Sequence, residues 1–451
     1  MGVVPYAIAA GDLNGDGWAD VVTANAVSED VSVLLSRGDG TVEPEIRYAA
    51  GNTPVAVALA DLNADGLKDM VVVNRDSLDV SVLLGLRGGG FGPQMRFPCG
   101  GIYNQPVSVA VGDMNGDGRP DLVVANKGSM FIRVGFVSVL LGAGDGTFGP
   151  QSTFGAGTNP QSVATGDFNN DGRPDIAAAD LGAQGTSSPD VWILLGIGDG
   201  TFSPALGTGS GDGPRGIAAG DFNADGRQDL ALVRTSTSAP GASSVSVMLG
   251  NGDGTFAPEV RYPAGLGGNG IIIADFDSDG RQDLVTANEL SNDVSLLPGL
   301  GDGTFGPQIR YATNLLPFSV AAGDLNGDAA PDLAVANYGS DDVWLFRNLI
   351  APLRILDFVI TFSRPIGRGS GTLIWTTSGE LDLEGFNVVL LDASGNRTQI
   401  NPVTIPCEEC VTGLGHAYEY PVPKHKSGKN LFLEAVHQDD RMTLFGPAQK
   451  Q

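Results

Sequence analysis

A nine-residue acidic loop that recurs seven times restricts this chain to a repeat architecture. The pattern D-x-[ND]-x-D-[GA]-x-x-D returns at intervals of 49 to 54 residues, beginning at Asp12, Asp61, Asp113, Asp167, Asp221, Asp275 and Asp324. A nearly constant period of this length is typical of units that stack or close into a ring. The content of one unit therefore indicates the fold.

Each unit predicts four short strands and no helix. In the third unit, strands at 108–113, 121–126 and 137–142 are followed by a Gly-Asp-Gly-Thr-Phe hairpin at 144–148 and a further extended stretch. β-branched and aromatic residues favour strands, and Asp-Gly pairs favour tight hairpins. Seven such units predict an all-β fold, a seven-bladed β-propeller over residues 1–350. A strand solenoid is the alternative, although such solenoids use shorter repeats.

The recurring loop carries oxygen ligands that suit calcium. Side-chain oxygens stand at positions one, three, five and nine, position six is usually glycine, and position seven can offer a backbone carbonyl. Calcium takes six to eight oxygen ligands, and glycine allows a sharp turn between them. The candidate side-chain ligands are Asp12, Asn14, Asp16, Asp20, Asp61, Asn63, Asp65, Asp69, Asp113, Asn115, Asp117, Asp121, Asp167, Asn169, Asp171, Asp175, Asp221, Asn223, Asp225, Asp229, Asp275, Asp277, Asp279, Asp283, Asp324, Asn326, Asp328 and Asp332. The candidate carbonyl ligands belong to Trp18, Leu67, Arg119, Arg173, Arg227, Arg281 and Ala330.

Ordinary surface turns are the alternative interpretation of these loops, because Asp, Asn and Gly are common turn residues. Seven copies with carboxylates at the same offsets favour calcium, since crowded carboxylates repel one another without a cation. Loop six has Asp277 where the other loops have Asn, and we expect it to bind more tightly. Loop seven has Ala329 and Ala330 in place of the glycine and its successor, so we expect its site to be weaker or empty. Six or seven divalent ions would cancel about half of the net charge of −26.

These motifs also resemble a known repeat family. The segments "SVAVGDMNGDGRPDL" (108–122) and "GDGTFGP" (144–150) are similar to FG-GAP, or VCBS, repeats, the family of the integrin α-chain head. The resemblance covers residues 3–348, and it implies a seven-bladed propeller with calcium between the first two strands of a blade. It therefore implies ligands at the positions named above. Unit two departs in its second motif, "GGGFGP" (88–93), which we expect to affect a hairpin and not a metal site.

The C-terminal part, residues 351–451, lacks the acidic loop. Alternating strands and an early Trp predict a small β-sandwich there. The run "WTTSGELDLEGFNV" (375–388) is similar to fibronectin type III-like modules at the ends of secreted bacterial proteins. Cys407 and Cys410 favour a local disulfide over free thiols or a zinc site, because their spacing matches no common zinc pattern.

The composition disfavours several function classes. The three histidines, His416, His425 and His437, lie near the C-terminus, so residues 1–415 lack the commonest general base. No catalytic sequence motif is present, and we expect the protein not to be an enzyme. The strong negative charge argues against nucleic acid and anionic membranes as partners, and no apolar run is long enough for a spanning helix. The N-terminus shows no signal peptide, yet the calcium loops and the resemblance predict an extracellular or cell-surface, bacterial protein.

The seventh unit ends at its third strand, 342–348, with no hairpin and fourth strand after it. This blade either stays three-stranded, takes part of 349–358, or accepts a strand from another chain. We therefore expect adhesion or extracellular assembly, with fibres or arrays formed through this blade and the C-terminal domain. A calcium-dependent lectin is the first alternative, with sugars held between blades on Tyr48, Tyr103, Tyr262 and Tyr311, although packing of outer strands explains these tyrosines better. A carbohydrate-active enzyme is the second alternative. The expected partners are calcium and either the chain itself, another extracellular protein or a glycan.

Overall fold

The computed structural model describes residues 2–129, 134–182, 189–209, 213–235 and 243–348, and the backbone of the strands between 355 and 450. The chain divides into two compact units, Met1–Arg347 and Asn348–Gln451. Every regular element among the described residues is a strand. No helix in that part of the chain is long and apolar enough to cross a membrane. The all-β prediction is confirmed.

The first unit consists of seven blades whose strands follow one another along the chain. Blades one to three contain β1 (Pro5–Gly11), β2 (Asp20–Asn25), β3 (Asp30–Leu34), β4 (Ile46–Ala49), β5 (Pro54–Ala60), β6 (Asp69–Asn74), β7 (Asp79–Leu83), β8 (Gly85–Leu86), β9 (Gly90–Phe91), β10 (Met95–Pro98), β11 (Asn104–Gly112), β12 (Asp121–Gly128), β13 (Phe136–Leu140) and β14 (Ser152–Gly155). Blades four to seven contain β15 (Pro160–Gly166), β16 (Asp175–Asp180), β17 (Val191–Leu194), β18 (Leu206–Thr208), β19 (Pro214–Gly220), β20 (Asp229–Arg234), β21 (Ser244–Met248), β22 (Val260–Pro263), β23 (Gly268–Ala274), β24 (Asp283–Asn288), β25 (Asp293–Leu297), β26 (Ile309–Ala312), β27 (Pro317–Gly323), β28 (Asp332–Asn337) and β29 (Asp342–Phe346).

Each blade is an antiparallel meander. Blades one to six have four strands in the order of the chain, with the small β8–β9 hairpin inserted in blade two, and blade seven has β27, β28 and β29. The second strand of each blade is buried along its whole length, except for the last two residues of β12, whereas the outer strands are largely exposed. The second strand lies in the middle of its blade, where both faces of the sheet pack against the neighbouring blades, whereas the outer strand lies at the edge of the sheet. The predicted four-strand unit is confirmed in blades one to six.

Apolar clusters join each blade to the next, and the last cluster closes the ring. Blades seven and one share Ile8, Val21, Leu34, Ala334 and neighbouring aliphatic side chains. Backbone and side-chain hydrogen bonds reinforce this contact, because Ala19 N–H donates to the Asp324 carbonyl at 2.7 Å and Val4 N–H donates to Asp341 Oδ1 at 2.7 Å. A closed ring of seven blades is the predicted propeller, and it excludes the solenoid.

In the described residues the outer edge of blade seven is its third strand, β29, which is the first of the three arrangements expected for this blade. β29 is half-buried, and Trp344 on it is 40 % exposed, whereas the equivalent strands β7 and β25 are buried throughout. A hollow of about 260 Å³ lies beside β29, lined by Val343 and Leu345 of blade seven and by Leu34 and Val42 of blade one. Among the described residues no fourth strand pairs with β29, and its apolar edge is partly uncovered.

The second unit contains two sheets. Its strands are β30 (Ile355–Thr361), β31 (Gly371–Thr377), β32 (Leu383–Leu391), β33 (Arg397–Gln399), β34 (Ile405–Pro406), β35 (Ala417–Val422), β36 (Leu431–His437), β37 (Met442–Phe445) and β38 (Gln449–Lys450). One sheet has the order β35-β31-β30-β38, and the other has β33-β32-β36-β37 with β34 also paired to β32. The likeness to a fibronectin type III module stays a prediction. Cys407, Cys410, His416 and His425 lie outside the described residues.

Candidate metal loops

Each acidic loop connects the innermost strand of a blade to the second strand. In blade three the last residue of β11, Gly112, pairs with Asp121, the ninth loop residue and the first residue of β12. The same register recurs in the other six blades, for example between Gly11 and Asp20 and between Gly323 and Asp332. All seven loops therefore lie at the same end of the propeller, and every candidate ligand is in one of them.

Backbone N–H groups surround the first carboxylate of each loop. In loop three, Gly116 N–H donates to Asp113 Oδ1 at 2.8 Å, and Gly118 N–H donates to Asp113 Oδ2 at 2.7 Å. Asn115 Oδ1 accepts the N–H of Asp117 at 2.9 Å. These side chains are held on a tight turn by the loop's own backbone, so their oxygens stay on one side of it. The arrangement suits a cation-binding loop and also stabilises the turn itself.

The ninth carboxylate has a different environment, because it is buried. Asp121 is fully buried, and its Oδ2 accepts Met114 N–H at 2.8 Å while its Oδ1 accepts Gly142 N–H at 2.7 Å. Gly142 follows the third strand, close to the Gly-Asp-Gly-Thr-Phe hairpin. The ninth residue thus joins the acidic loop to the second hallmark motif of the repeat.

Burial makes these ninth carboxylates costly to ionise. It raises the pKa of Asp20, Asp175 and Asp283 to about 6, and it also raises the pKa of Asp69, Asp121 and Asp229. Two backbone N–H donors on each group oppose this rise, whereas the neighbouring loop carboxylates add to it. A cation in the loop would favour the ionised form.

Loop six brings its acidic side chains closest together. Asp275, Asp277 and Asp283 each offer a carboxylate oxygen, and these oxygens all lie within 4.8 Å of one another. In the described part of the chain this is the one group of three metal-ligating acidic side chains that meets so closely. Burial, together with the charge of Asp279, raises the pKa of Asp277. The cluster could hold a metal ion.

Comparison with known families identifies the repeat. The FG-GAP-like repeat profile matches residues 12–72, 61–124, 113–178, 179–232, 232–286 and 275–335. The chain belongs to the FG-GAP-like repeat family. These matches include all seven acidic loops, and they confirm the resemblance stated from the motifs.

Comparison with solved structures gives matches to the FG-GAP chain at low sequence identity. BBS1N in complex with ARL6DN is 13 % identical with a TM-score of 0.50, over 77 % of this chain and 94 % of that one. A functionally unknown protein from Desulfotomaculum acetoxidans is 14 % identical (TM-score 0.46, 70 % and 91 % covered), and the Pseudomonas aeruginosa periplasmic gluconolactonase PpgL is 17 % identical (TM-score 0.48, 92 % and 99 % covered). A search of functionally curated proteins found no match. At these identities the likeness concerns the fold alone.

The donor set of the FG-GAP loops fits a hard divalent cation. Their side chains offer carboxylate and amide oxygens, the ligands that calcium prefers, and loop six places three carboxylates in one cluster. In loops three to six, however, the arginine at position seven lies near the carboxylate at position five, for example Arg119 Nη1 at 4.0 Å from Asp117 and Arg281 Nη1 at 3.3 Å from Asp279. These long ion pairs balance only part of the acidic charge. The ligand assignments and the carbonyl ligands at position seven stay predictions.

Loop seven keeps the FG-GAP turn in spite of its alanine. Ala329 has φ +68°, close to the value of +83° at Gly66 in loop two. Its N–H donates to Asp324 Oδ2 at 2.8 Å, as the glycine does in the other loops. Ala329 thus adopts the left-handed conformation that alanine disfavours, at a cost of about 1 kcal/mol in backbone strain. Whether the metal site is weaker stays a prediction.

The structure also reveals features of the FG-GAP loop that sequence reasoning missed. The fourth residue adopts positive φ in all seven loops, including Ala64, Asn170, Ala224 and Ser278. The second residue is a buried apolar anchor, such as Phe168. A preference for Gly, Ala, Asn or Ser at position four and an apolar residue at position two was visible in the aligned loops, and it would have identified both roles.

Proposed function

We propose that this FG-GAP protein is a non-catalytic, extracellular adhesion or scaffold protein whose propeller is stabilised by calcium in six or seven loops. Calcium sites of extracellular modules work at roughly 0.1–1 mM, which exposed carboxylate loops on a rigid blade can reach. Each loop connects the two inner strands of its blade, so an ion bound in every loop would stabilise every blade. The role of the metal is therefore structural.

Self-assembly is the specific form of adhesion that the edge of blade seven supports. β29 carries Trp344, Val343 and Leu345 at an edge without a fourth strand among the described residues. An edge strand offers unpaired backbone groups to a strand from another chain. We propose that a strand from a second copy of this chain pairs with β29. The residues Ile355–Phe358 belong to β30, which pairs with β31 and β38, so this part of the linking segment already has partners.

Our proposal of a non-catalytic protein is supported by the positions of the carboxyl groups whose pKa is shifted. The described carboxyl groups whose pKa is shown to be raised are the ninth residues of loops one to six and Asp277, all in the metal loops. None of them lines the central cavity of the propeller. A catalytic carboxyl group would lie in such a cavity. The groups of shifted pKa that do line it, Lys127 and Tyr6, are not carboxyl groups.

The between-blade lectin receives less support from the tyrosines. Tyr48 packs edge-on against Phe91 of the next blade at 5.5 Å between ring centroids, and Tyr262 packs against Phe305 at 5.6 Å. Tyr311 is near Phe346 of blade seven at 6.3 Å. Three of the four candidate tyrosines thus pack against the next blade, and Tyr103 is the exception with a 53 % exposed side chain.

Sedimentation velocity and electron microscopy of the full chain, with calcium and with chelator, test the assembly. We expect filaments or sheets in calcium that W344K abolishes, because a charged lysine at a strand edge opposes pairing. Ile309→Lys, on the exposed outer strand of the complete blade six, is the matched control and should still assemble. A monomer at high concentration in calcium would refute self-assembly, and assembly unaffected by W344K would refute the role of this edge.

A further inference from the structure

The propeller has a central cavity of about 430 Å³ on the side away from the metal loops. Its walls include the first residues of the innermost strands, represented by Tyr6, Arg215 and Phe318. They also include Arg75, which follows β6, and Lys127, near the end of β12. The metal loops, by contrast, follow the ends of the innermost strands. A cavity of this volume is within the usual range for small-ligand sites.

Three cationic side chains meet in this cavity although the chain is strongly acidic. Arg75, Lys127 and Arg215 come from blades two, three and five and occupy two positions of the repeat. In the other blades the position of Arg75 and Lys127 holds Ala26, Leu181, Thr235, Glu289 or Tyr338, and that of Arg215 holds Tyr6, Val55, Val107, Gln161, Asn269 or Phe318. The scaffold repeats sevenfold, so the repeat itself does not require a cation at these positions. Burial lowers the pKa of Lys127, and the charge of Arg75 lowers it further, so these two cations lie near each other.

These cations retain hydrogen-bond donors for a ligand. Arg75 is 28 % exposed, and its Nε lies 3.5 Å from Asp76 Oδ1, which also accepts a hydrogen bond from Gln105. Arg215 donates through Nη1 to Asn269 Oδ1 at 2.7 Å and lies 3.5 Å from Glu289 Oε2. Neither Asp76 nor Glu289 lines the cavity. Each acid therefore holds one side of its arginine, and the remaining guanidinium N–H groups are available.

The cavity wall also contains aromatic side chains, Tyr6 and Phe318. Tyr6 of blade one and Phe318 of blade seven have ring centroids 4.0 Å apart, and Tyr338 lies 6.1 Å from Tyr6. Gln161 and Ser319 add neutral polar groups to the lining. Aromatic faces bind the C–H face of a sugar ring, whereas amides and hydroxyls suit its hydroxyl groups.

We propose that the cavity binds a sugar acid, a single pyranose ring that carries a carboxylate. The carboxylate lies against Arg75, Lys127 and Arg215, for which a planar anion is the best-matched partner, and the ring lies against Tyr6 and Phe318. The size of the cavity and its closed sevenfold wall favour one terminal sugar over an extended polyanion. The site stands whether or not the chain self-assembles, because it depends on neither β29 nor the metal loops.

Isothermal titration calorimetry on the calcium-saturated full chain tests this site with glucuronate and galacturonate as probes. We expect both uronates to bind, and glucose and galactose not to bind measurably. Loss of one charge-assisted hydrogen bond is worth roughly a tenfold change or more, so R75Q and K127Q should each weaken uronate binding at least about tenfold. Arg37→Gln, which removes an exposed arginine paired with Glu43 in the hairpin of blade one, is the matched control and should leave binding unchanged.

Two further measurements distinguish a sugar-acid site from a simple anion site. Phe318→Leu should weaken glucuronate binding and leave inorganic phosphate or sulfate unaffected. Equal binding of phosphate and glucuronate, with no effect of Phe318→Leu, would overturn the sugar part of the proposal. No uronate binding, or binding that R75Q and K127Q do not change, would overturn the site. Melting curves in calcium check that each variant folds. If K127Q does not fold, Lys127→Met, which keeps the apolar stem of the side chain, takes its place.

Discussion

The backbone N–H of Gly142 donates a 2.7 Å hydrogen bond to Oδ1 of Asp121, and this bond joins the acidic loop to the hairpin motif of the same repeat unit. A Cβ atom at position 142 would lie 2.2 Å from the carbonyl oxygen of Pro120. Equivalent glycines make the same bond in blades two, four, five and six, at Gly85, Gly196, Gly250 and Gly299. In blade one Ser36 makes the same bond at 2.7 Å, so this position accepts a small side chain there, whereas in blade three the carbonyl group of Pro120 leaves no room for a Cβ atom.

Gly142→Ala should destabilise the propeller. The added methyl group must push the hairpin away from Pro120, which lengthens the hydrogen bond to a fully buried carboxylate. Overpacking and a lost partner of a buried charge each cost about 1–3 kcal/mol. Thermal unfolding in calcium, followed by circular dichroism, measures the effect. Gly155→Ala in the same blade is the control, because nothing lies within 4 Å of its added Cβ. Equal melting temperatures for the two variants would contradict the role of Gly142.

Removal of calcium should lower the melting temperature of the whole propeller. The buried ninth carboxylates resist ionisation without a cation, and a ligand that binds only the folded state stabilises it in proportion to the logarithm of its concentration. Scanning calorimetry with calcium, and then with a strong chelator, measures the shift. Magnesium at the same concentration is the control for ionic strength. Coincident curves in calcium and chelator would show that the loops are turns without a structural ion.

Ala329→Gly should stabilise blade seven. Ala329 holds a left-handed conformation that costs an alanine about 1 kcal/mol and a glycine almost nothing. Its neighbour Ala330 is buried and is not among the residues with positive φ, so Ala330→Gly should instead be destabilising. Chemical denaturation of both variants in calcium tests this opposite response. The same sign for both substitutions would mean that the conformation of Ala329 is not strained.

Asp277→Asn should have opposite effects with and without calcium. In chelator, the variant removes one of three carboxylates that lie within 4.8 Å of one another, so repulsion falls and stability rises. In calcium, the same change removes a charged ligand, so the stabilisation by calcium becomes smaller. Asp253→Asn, in an exposed hairpin, removes the same charge outside the loops and serves as the control. A change of equal sign in both conditions would argue against metal binding by loop six.

Local patterns account for most of the fold prediction. The strands β11, β12 and β13 lie where β-branched runs predict them, and the Asp-Gly hairpin at Asp145 and Gly146 has the positive φ expected for its glycine. Both features depend on neighbouring residues only, so they can be read from a single repeat. The FG-GAP motifs then predicted the number of blades, because a period near 50 residues matches one blade.

The links between motifs could not be predicted in the same way. Asp121 and Gly142 are 21 residues apart, and their contact depends on how the third strand returns beside the loop. Ala329 was expected to resist the loop conformation, but the six hydrogen-bonded loops around the ring share one geometry and loop seven adopts it as well. Tertiary constraints here outweigh the local preference of alanine.

The sequence by itself determined the repeat, the strand order and the positions of the candidate calcium ligands, because these depend on local periodicity and on short loops. Only the tertiary structure decided that Arg75, Lys127 and Arg215 share one cavity with Tyr6 and Phe318. These residues belong to five different blades and occupy two equivalent positions of the repeat, but which blades carry a cation or an aromatic ring there follows no pattern along the chain. They meet because apolar packing closes the ring between blades seven and one, and that closure arises from contacts between residues more than 300 positions apart.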